Sequence, residues 1–295
     1  MRIVFVGTVI FSKHMLNELI QANADVVGVV ISDKNSFNSD YADLQPICNE
    51  KDIPCHSTTN INSLETLAWI SSYNPDIIFC FGWSQLIKSE LLNLPPNGVV
   101  GYHPAALPKN RGHHPLIWAL VLGLTETAST FFFMDKGADS GDILSQEIIL
   151  ISGDDDATSL YSKIIDKATK QILLLVQTLE KGSIKALSQD HSDANIWRKR
   201  SQRDGTIDWR MSAESVYNLI RGLTHPYVGA EFIYHRVQSI KVWKSRVVVH
   251  DGIENLEPGK VAFLNDSRPI IKCGIDCIEL LEFEPPIDLK IGEYL

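Results

Sequence analysis

The arrangement of apolar and polar positions predicts an α/β domain in the first two thirds of the chain. An apolar run at residues 2–6 ends at Gly7, an amphipathic stretch follows at about 11–22, and a second apolar run occupies 26–31. Strand, helix and strand in this order are typical of a parallel sheet. The pattern predicts further strands at 76–81, 99–102, 126–134 and 143–151, and helices at 45–53, 64–73, from Gly82 to 92, at 116–123, and from an Asp154–Asp156 cap to about 179. We therefore expect a Rossmann-like, mostly parallel sheet flanked by helices.

The last third of the chain has a different pattern. A polar connection at 190–208 precedes a helix at 212–222, for which Ser212 is the expected N-cap. Short strands are then predicted at 227–234, 240–249, 259–263, 269–272 and 275–283. One helix followed by short strands is typical of a small β-barrel, so we expect an OB-like domain. The predicted domains are residues 1–203 and 204–295.

Composition and charge narrow the classes of function. The chain has 295 residues, 44% hydrophobic, and a formal net charge of -9. An acidic balance discourages attraction to nucleic acid or an anionic membrane, so neither partner is expected. No signal peptide and no apolar run of spanning length is apparent, which predicts a cytoplasmic protein. The five cysteines show no framework or zinc-ligand spacing, so we expect free thiols and no metal.

The chemistry-bearing residues concentrate in two segments. Residues 98–118 place His103 where a buried strand gives way to a loop, and further His, Lys, Asn and Arg side chains follow it. Residues 137–142, Gly-Ala-Asp-Ser-Gly-Asp, form a second turn that supplies carboxylates. A single histidine is more often a hydrogen-bonded structural residue than a base. The two segments together nevertheless predict a site in which His103 and Asp139 meet.

Several motifs resemble the formyltransferases that use 10-formyltetrahydrofolate. GYHPAALPKNRG resembles their signature loop, and GADSGDIL resembles the turn that carries an essential Asp. VFVGTVIFSKHMLNELI is similar to their opening strand and helix, and DGTIDWRMSAESVYNLIRGLTHPYVGA to the junction with the C-terminal barrel of the two-domain members. The resemblance implies formyl transfer from 10-formyltetrahydrofolate to an amine. It assigns His103 as the general base, and Asp139 as the group that orients the imidazole and stabilises its charged form.

One position departs from the family pattern. The family has Asn two residues before the histidine, where it polarises the formyl oxygen, and this chain has Gly101. Loss of such a donor costs about 2.7–4 kcal/mol in other enzymes. We expect the backbone at Gly101, or the side chain of Asn110 or His113, to support the oxyanion instead. Retention of His103 and Asp139 favours replacement over loss of activity.

The resemblance also implies a folate site. FGWSQLIKSELL is similar to the segment whose backbone pairs with the pterin ring in the family. The expected cofactor-binding residues are therefore Phe81, Trp83, Leu86, Ile87, Gly137, Asp139 and Asp142. The same side chains could also be ordinary packing residues at a helix entrance.

The substrate amine is the least determined feature, because three family branches compete. The glycinamide ribonucleotide enzyme has one domain, so residues 205–295 argue against it. The initiator-tRNA enzyme carries a basic loop after its second strand, whereas SDKNSFNSDYADL here has only Lys34 and three aspartates. We therefore expect a nucleotide-linked amino sugar, such as a UDP- or dTDP-4-amino-dideoxy hexose, for surface glycan synthesis. A methionyl-tRNA formyltransferase and a non-catalytic nucleotide- or folate-binding module, which Gly101 favours, are the alternatives.

A nucleotide diphosphate needs cations and N–H donors. The expected substrate-binding residues are Gly7, Thr8, Lys13, Tyr41, Lys109 and Arg111, with Tyr41 stacking on a base or sugar. Taken singly, each of these is more often a surface or packing residue. Three roles are open for the C-terminal domain: a homodimer interface, which we favour, a site for a second ligand, or a cap on the sheet.

Overall fold

The structure is a computed structural model that describes residues 1–32 and 39–295. It divides into two compact units. The first comprises Met1–Pro115, Thr127–Ile149 and Ser162–Trp197, and the second comprises Leu116–Glu126, Leu150–Tyr161 and Arg198–Leu295. The predicted domain boundary at 203/204 falls inside the last segment of the second unit and stays a prediction.

The elements follow the predicted alternation. The strands are β1 (Ile3–Gly7), β2 (Val26–Ser32), β3 (Cys55–Thr58), β4 (Ile77–Phe81), β5 (Val99–His103), β6 (Arg111–Gly112), β7 (Glu126–Phe133), β8 (Ile143–Leu150), β9 (Ile196–Trp197), β10 (Ala230–Tyr234), β11 (Gln238–Val248), β12 (Val261–Asn265), β13 (Arg268–Lys272) and β14 (Cys277–Glu284). The α-helices are α1 (Ile10–Gln21), α2 (Gln45–Glu50), α3 (Leu64–Ser72), α4 (Ser89–Leu92), α5 (Pro115–Val121), α6 (Ala157–Glu180) and α7 (Ala213–Leu223).

A seven-stranded sheet with the order β3-β2-β1-β4-β5-β7-β8 forms the first unit. Strand β1 pairs in parallel with β2 and β4, and β4 pairs in parallel with β5, while β7 runs antiparallel to β5. The chain order reverses direction across the sheet at β1 and β4, and ligands of open α/β sheets bind at the carboxyl ends of strands beside such a reversal. The predicted mostly parallel fold is confirmed.

Both faces of the central strands are buried, as the continuous apolar runs require. On one face, Val4, Val6 and Ile78 share a buried cluster with Ile70 of α3. On the other face, Phe81 lies edge-on to Phe5 with ring centroids 5.5 Å apart, and Phe11 of α1 contacts the same ring at 6.1 Å. Helices α3 and α1 therefore cover opposite faces of the sheet.

The second unit contains a five-stranded antiparallel sheet with the order β10-β11-β14-β13-β12. Helix α7 packs against it through Val216, Leu219 and Ile220, which share one buried cluster with strand residues such as Val242 and Ile271. The predicted N-cap is confirmed, because the Ser212 side chain accepts a hydrogen bond from the Ser215 N–H. The predicted C-terminal β domain is thus confirmed as well.

Caps and breaks show where the sequence prediction holds and where it fails. Helix α6 begins after Asp156, whose Oδ1 accepts the Ser159 N–H at 2.9 Å, so the capping role is confirmed. The predicted helix from Gly82 to 92 is wrong for most of its length, since only Ser89–Leu92 is helical. Strand β3 was not predicted, because its sequence Cys-His-Ser-Thr lacks an apolar pattern. Within residues 1–32 and 39–295, no helix is long and apolar enough to cross a membrane.

Candidate active site

His103 is the last residue of β5, and its side chain is buried. The chain that follows must leave the sheet while its backbone groups keep hydrogen-bond partners. Side chains of β7 and β8 provide them: Thr127 Oγ1 donates to the Pro104 carbonyl (2.9 Å), Thr130 Oγ1 to the Ala105 carbonyl (2.7 Å), and Gln146 Nε2 to the Leu107 carbonyl (3.0 Å). The segment from His103 to Gly112, here called the histidine loop, therefore has a fixed path.

The imidazole of His103 has one defined proton position. Its Nε2 lies 2.7 Å from the backbone carbonyl oxygen of Asn110, which can only accept a hydrogen bond. Nε2 must therefore carry the proton, and in the neutral ring Nδ1 is the basic nitrogen. Asn110 has a left-handed backbone (φ 63°), which Asn tolerates better than most residues.

Asp139 faces that basic nitrogen. Its Oδ2 lies 3.6 Å from His103 Nδ1, which is longer than a hydrogen bond, and the same oxygen accepts the Gly112 N–H at 2.8 Å. The turn from Gly137 to Asp142, here called the aspartate turn, needs glycine at Gly141, because a Cβ there would lie 1.8 Å from the Phe133 carbonyl oxygen. The structure thus brings together the two residues predicted as catalytic.

Gly101 lies in the middle of β5, buried between β4 and β7. It shares a sheet face with His103, since side chains alternate along a strand. A Cβ at this position would lie 2.8 Å from Phe132 Cζ and 2.9 Å from Met134 Cγ. Apolar side chains therefore occupy the space that an Asn side chain would need. This enclosed position does not support oxyanion binding by the Gly101 backbone.

The other two predicted oxyanion groups lie beyond β5. Asn110 contacts His103 through its backbone carbonyl, and its own N–H donates to Asn195 Oδ1 at 2.8 Å. His113 is exposed, and its N–H donates to the Trp197 carbonyl at 3.1 Å. Their side-chain roles stay predictions.

The residues predicted for the folate lie on a loop instead of a helix. Phe81 is buried at the end of β4, Leu86 is exposed, and Ile87 is buried. The Asn62 side chain fixes the backbone around them: its Nδ2 donates to the Leu86 carbonyl (2.9 Å), and its Oδ1 accepts the Lys88 N–H (2.8 Å). The local sequence pattern predicted a helix here and was wrong, because the side chain that holds this loop belongs to a residue 24 positions upstream.

The other predicted folate residues belong to the aspartate turn. The Gly137 N–H donates to Asp135 Oδ1 at 2.9 Å, and the Asp142 carbonyl accepts the Phe133 N–H at 2.9 Å while the residue itself is exposed. These contacts shape the turn through the backbone.

Two buried polar atoms lie near the carboxyl ends of adjacent strands. Thr8 Oγ1 follows β1, Trp83 Nε1 follows β4, and neither has a hydrogen-bond partner among the residues that the structure describes. Buried polar groups normally have partners, so atoms of this kind mark places where a polar ligand can bind. Both residues were predicted site residues.

The residues predicted to bind the nucleotide include the turn after β1, two lysines and Tyr41. The Thr8 and Val9 N–H groups both donate to Ser12 Oγ (3.2 and 3.1 Å), so this turn does not offer them to an anion. Lys13 and Lys109 are exposed. Residues 40–42 pair with residues 8–10, which places Tyr41 beside Val9. The predicted stacking of Tyr41 on a base or sugar stays a prediction. Lys34, used above to judge the loop charge, lies outside the described residues.

Arg111 is buried, with 6% of its surface exposed, and is bound within the protein. Its Nε and Nη2 donate to Gln189 Oε1 at 3.2 and 2.6 Å, and Nη2 lies 3.0 Å from His191 Nδ1. The Nε and Nη2 groups of Arg111 are therefore engaged within the protein. The direct phosphate contact that we expected stays a prediction.

Gln189 is the residue that the sequence analysis missed. It lies in the polar connection after α6, yet only 7% of its surface is exposed. Its Nε2 donates to the carbonyl oxygens of Asp139 (2.9 Å) and Gly141 (2.6 Å), while its Oε1 accepts from Arg111. No local pattern marks a glutamine in a polar stretch as buried, so only long-range contacts identify it.

Two further groups near His103 are held neutral. Burial raises the pKa of the Cys80 thiol, on β4 opposite Gly101, to about 12. Burial also raises the pKa of Tyr102, whose hydroxyl lies 2.9 Å from Ser129 Oγ. Neither residue is an anion at neutral pH. Among the described ranges 1–32 and 39–295, no group of three or more His, Cys, Asp or Glu side chains is placed to hold a metal ion.

Comparisons with known proteins agree with this architecture. Residues 1–176 match the formyl transferase family, and residues 199–290 match the formyl transferase C-terminal domain. The chain is also 32% identical over 302 residues to a methionyl-tRNA formyltransferase of Caldanaerobacter subterraneus subsp. tengcongensis, covering 100% of this chain and 96% of that protein. The chain therefore belongs to the formyl transferase family, a family of one-carbon transferases.

Solved structures share the fold at lower identity. WlaRD, a sugar 3N-formyl transferase solved with dTDP and 5-N-formyl-THF, is 18% identical with a TM-score of 0.69, covering 95% of this chain and 97% of WlaRD. An N-formyltransferase of Helicobacter canadensis, in complex with folinic acid and dTDP-3-aminofucose, is 16% identical with a TM-score of 0.69, covering 94% and 98%. HypX of Aquifex aeolicus is 16% identical with a TM-score of 0.68, and the match covers 96% of this chain but 45% of HypX.

Proposed function

We propose that this protein transfers the formyl group of 10-formyltetrahydrofolate to the amine of a nucleotide-linked amino sugar. The observation that supports the reaction most directly is the His103–Asp139 geometry. A neutral imidazole carries its proton on Nε2 and presents basic Nδ1 to a carboxylate 3.6 Å away. An amine that lies beside this pair can donate a hydrogen bond to either acceptor.

In the proposed reaction, His103 acts as the general base. The amine nitrogen forms a bond to the formyl carbon, and His103 Nδ1 takes the proton that the amine loses. The bond between the formyl carbon and the folate nitrogen then breaks, and the proton returns to that nitrogen, which gives a formamide and tetrahydrofolate. General base catalysis of this kind typically contributes about 10²–10⁴-fold.

Of the two parts expected of Asp139, orienting the imidazole and stabilising its charged form, we propose the second. Asn110, through its carbonyl, already orients the imidazole and fixes its tautomer. Asp139, half-buried and held by the Gly112 N–H, lies where it stabilises the positive charge that His103 gains with the proton. Three groups were predicted to support the oxyanion. Because Gly101 is enclosed by apolar side chains, Asn110 and His113 are the two candidates that we keep.

The residues present fit a polar, ring-shaped co-substrate. Trp83 Nε1 and Thr8 Oγ1 are buried donors with no partner in the described part of the chain, and Phe81 supplies an apolar wall. The backbone of the loop that Asn62 pins lies after β4, where an α/β sheet binds its ligands. When bound, the co-substrate supplies a formyl group bonded to a folate nitrogen, and that nitrogen is the leaving group.

The choice of a sugar amine rests on charge. The chain carries a formal net charge of -9, and residues 32–44 carry three aspartates against one lysine. Such a balance of charge in the sequence disfavours a phosphate backbone, whereas a single nucleotide diphosphate needs only a few local donors. Two structures with the same fold were solved with dTDP or a dTDP-linked amino sugar. The 32% identity to a methionyl-tRNA formyltransferase supports tRNA as the second candidate acceptor.

The decisive experiment measures tetrahydrofolate release from 10-formyltetrahydrofolate with a panel of UDP- and dTDP-linked amino sugars, and with methionyl-tRNA in parallel. We expect turnover with one of the sugars and none with the tRNA. Formylation of methionyl-tRNA alone would overturn the substrate assignment, and no release with either class would support a binding module instead.

The assignment of the base has its own test. We expect His103→Ala and Asp139→Ala each to lower kcat/KM by at least about 10²-fold. The exposed His14 on α1 provides the matched control, and His14→Ala should keep wild-type activity. A His103→Ala variant with near-wild-type activity would refute the role of this residue.

A further inference from the structure

Gln189 connects the two segments that carry the proposed catalytic residues. Its Oε1 accepts two hydrogen bonds from Arg111 of the histidine loop, and its Nε2 donates to two carbonyls of the aspartate turn. An amide side chain has two lone pairs and two N–H groups, so all four are used. A single planar group therefore holds both segments at one separation.

The residues that follow Gln189 fix the rest of the histidine loop. Asn195 accepts the Asn110 N–H through its side chain (2.8 Å) and the Arg111 N–H through its carbonyl (3.1 Å). Strand β9 then pairs in parallel with β6, which leaves no room for a side chain at Gly112, since a Cβ there would lie 2.4 Å from the Trp197 carbonyl oxygen. The carbonyl that orients His103 thus belongs to a backbone segment that residues 189–197 hold in place.

The separation of His103 and Asp139 needs such a connection. At 3.6 Å the two side chains do not form a hydrogen bond that could fix their distance. The Gly112 N–H locates the carboxylate of Asp139, and Gln189 locates its backbone carbonyl. Two attachments, one at each end of the residue, define where the carboxylate stands.

We propose that Gln189 is a positioning residue that sets the distance between His103 Nδ1 and the Asp139 carboxylate, acting through Arg111 on one side and the aspartate turn on the other. The inference rests on the proposed roles of His103 and Asp139. It assigns no contact between Gln189 and the substrate. Misplacement of a catalytic group by about 1 Å can cost on the order of 10²-fold in rate, which is the effect expected from its loss.

The chain offers a matched control for a purely structural role. Gln171 on α6 is also buried (3% exposed), and its Nε2 donates to the Ser129 carbonyl (3.1 Å) and to Ser145 Oγ (2.8 Å). It makes no hydrogen bond with the histidine loop or the aspartate turn among the described residues. Gln171→Leu leaves one buried carbonyl and one hydroxyl without their amide donor, whereas Gln189→Leu leaves two carbonyls and the Arg111 guanidinium without partners. Gln189→Leu should therefore lower stability more, and urea denaturation of both variants measures that difference separately from kcat.

The first measurement needs no substrate. Hydrogen exchange of the full-length protein, read by mass spectrometry, should show faster exchange in peptides from both 103–112 and 137–142 in Gln189→Leu, and in neither for Gln171→Leu. Gln189→Glu keeps an oxygen that accepts from Arg111, but it replaces the N–H donor to the Asp139 and Gly141 carbonyls with a second oxygen. Faster hydrogen exchange should therefore be confined to residues 137–142. Unchanged exchange in the aspartate turn of both Gln189 variants would overturn the proposal.

The second measurement separates positioning from binding and stability. With the amine that the wild type formylates, Gln189→Leu should lower kcat by about 10²-fold, with KM for the formyl donor within about threefold of the wild-type value. Gln171→Leu should lower kcat by less than about threefold. Equal losses in the two variants would overturn the proposal. If no amine is formylated by the wild type, the proposed function fails, and hydrogen exchange still decides the role of Gln189.

Discussion

Restoring the family asparagine at residue 101 should destabilise the protein, because the space for its side chain is filled. Phe132 and Met134 lie within 3 Å of the position of a Cβ on Gly101. Phe132 is 2% exposed and packs with Leu107 and Ile143, so its ring has little room to withdraw. Met134, which is flexible and partly buried, can move more easily.

The cost follows from two effects. Forcing extra atoms into a packed core typically costs about 1–3 kcal/mol. An amide placed among apolar side chains without a hydrogen-bond partner adds about 1–3 kcal/mol. We therefore expect Gly101→Ala to lower the free energy of unfolding by about 1–3 kcal/mol and Gly101→Asn by about 2–6 kcal/mol. The larger loss is a substantial part of the total of about 5–15 kcal/mol that holds most proteins folded.

Urea denaturation of a double-mutant cycle provides the assay. Phe132→Leu removes the two ring atoms nearest to the Cβ position, so it should relieve the crowding that Gly101→Ala creates. The double variant should be more stable than the sum of the single effects by about 1–3 kcal/mol. Additivity within about 0.5 kcal/mol would refute the packing explanation. A Gly101→Asn variant that is as stable as the wild type and more active would show that the site still has room for an asparagine side chain. That result would contradict the packing explanation.

Two further predictions follow from named contacts. Asn62→Leu frees the Leu86 carbonyl and the Lys88 N–H. It should raise KM for the formyl donor by about tenfold with little change in kcat, which steady-state kinetics measures against Asn49→Leu on the exposed face of α2. A loss of kcat alone would contradict the proposed folate site. The Arg198 guanidinium hydrogen-bonds to Asp204 and lowers the pKa of that carboxyl. This contribution to stability is present above the unfolded pKa of about 3.9 and is lost as pH falls through the lower folded value. Arg198→Ala should therefore make the acid-induced fall of the urea midpoint shallower below about pH 4, whereas a steeper fall would refute the assignment.

The strand and cap positions were predictable because their causes are local. The runs that form β1, β2 and β4 are apolar at successive positions, and a strand buried on both faces requires this. Asp156 and Ser212 cap helices with side chains that reach backbone N–H groups only three residues away. Interactions of this range are visible in a short window of sequence.

The failures share a long-range cause. Residues 83–88 have an acceptable helical pattern, but Asn62 captures their backbone groups and keeps them out of a helix. Strand β3 has a polar sequence and forms because it extends the sheet beside β2, with Val29 opposite Cys55. In both cases the deciding partner is more than 20 residues away in the sequence, beyond the reach of periodicity.

The sequence predicted the side chains of the candidate site, but it did not predict the backbone groups that determine the geometry of the site. His103 and Asp139 were correctly expected to meet, yet the atoms that orient them are the Asn110 carbonyl and the Gly112 N–H. A search for chemistry-bearing side chains therefore assigned Asn110 and Arg111 to ligands, while the structure uses the backbone of the first and buries the second against Gln189. Because backbone groups orient the histidine, a glycine at residue 101 leaves the His103–Asp139 geometry intact. In the proposed reaction, Asn110 or His113 meets the formyl oxygen. Turnover of Asn110→Gly, which keeps the left-handed backbone, and of His113→Ala separates the two.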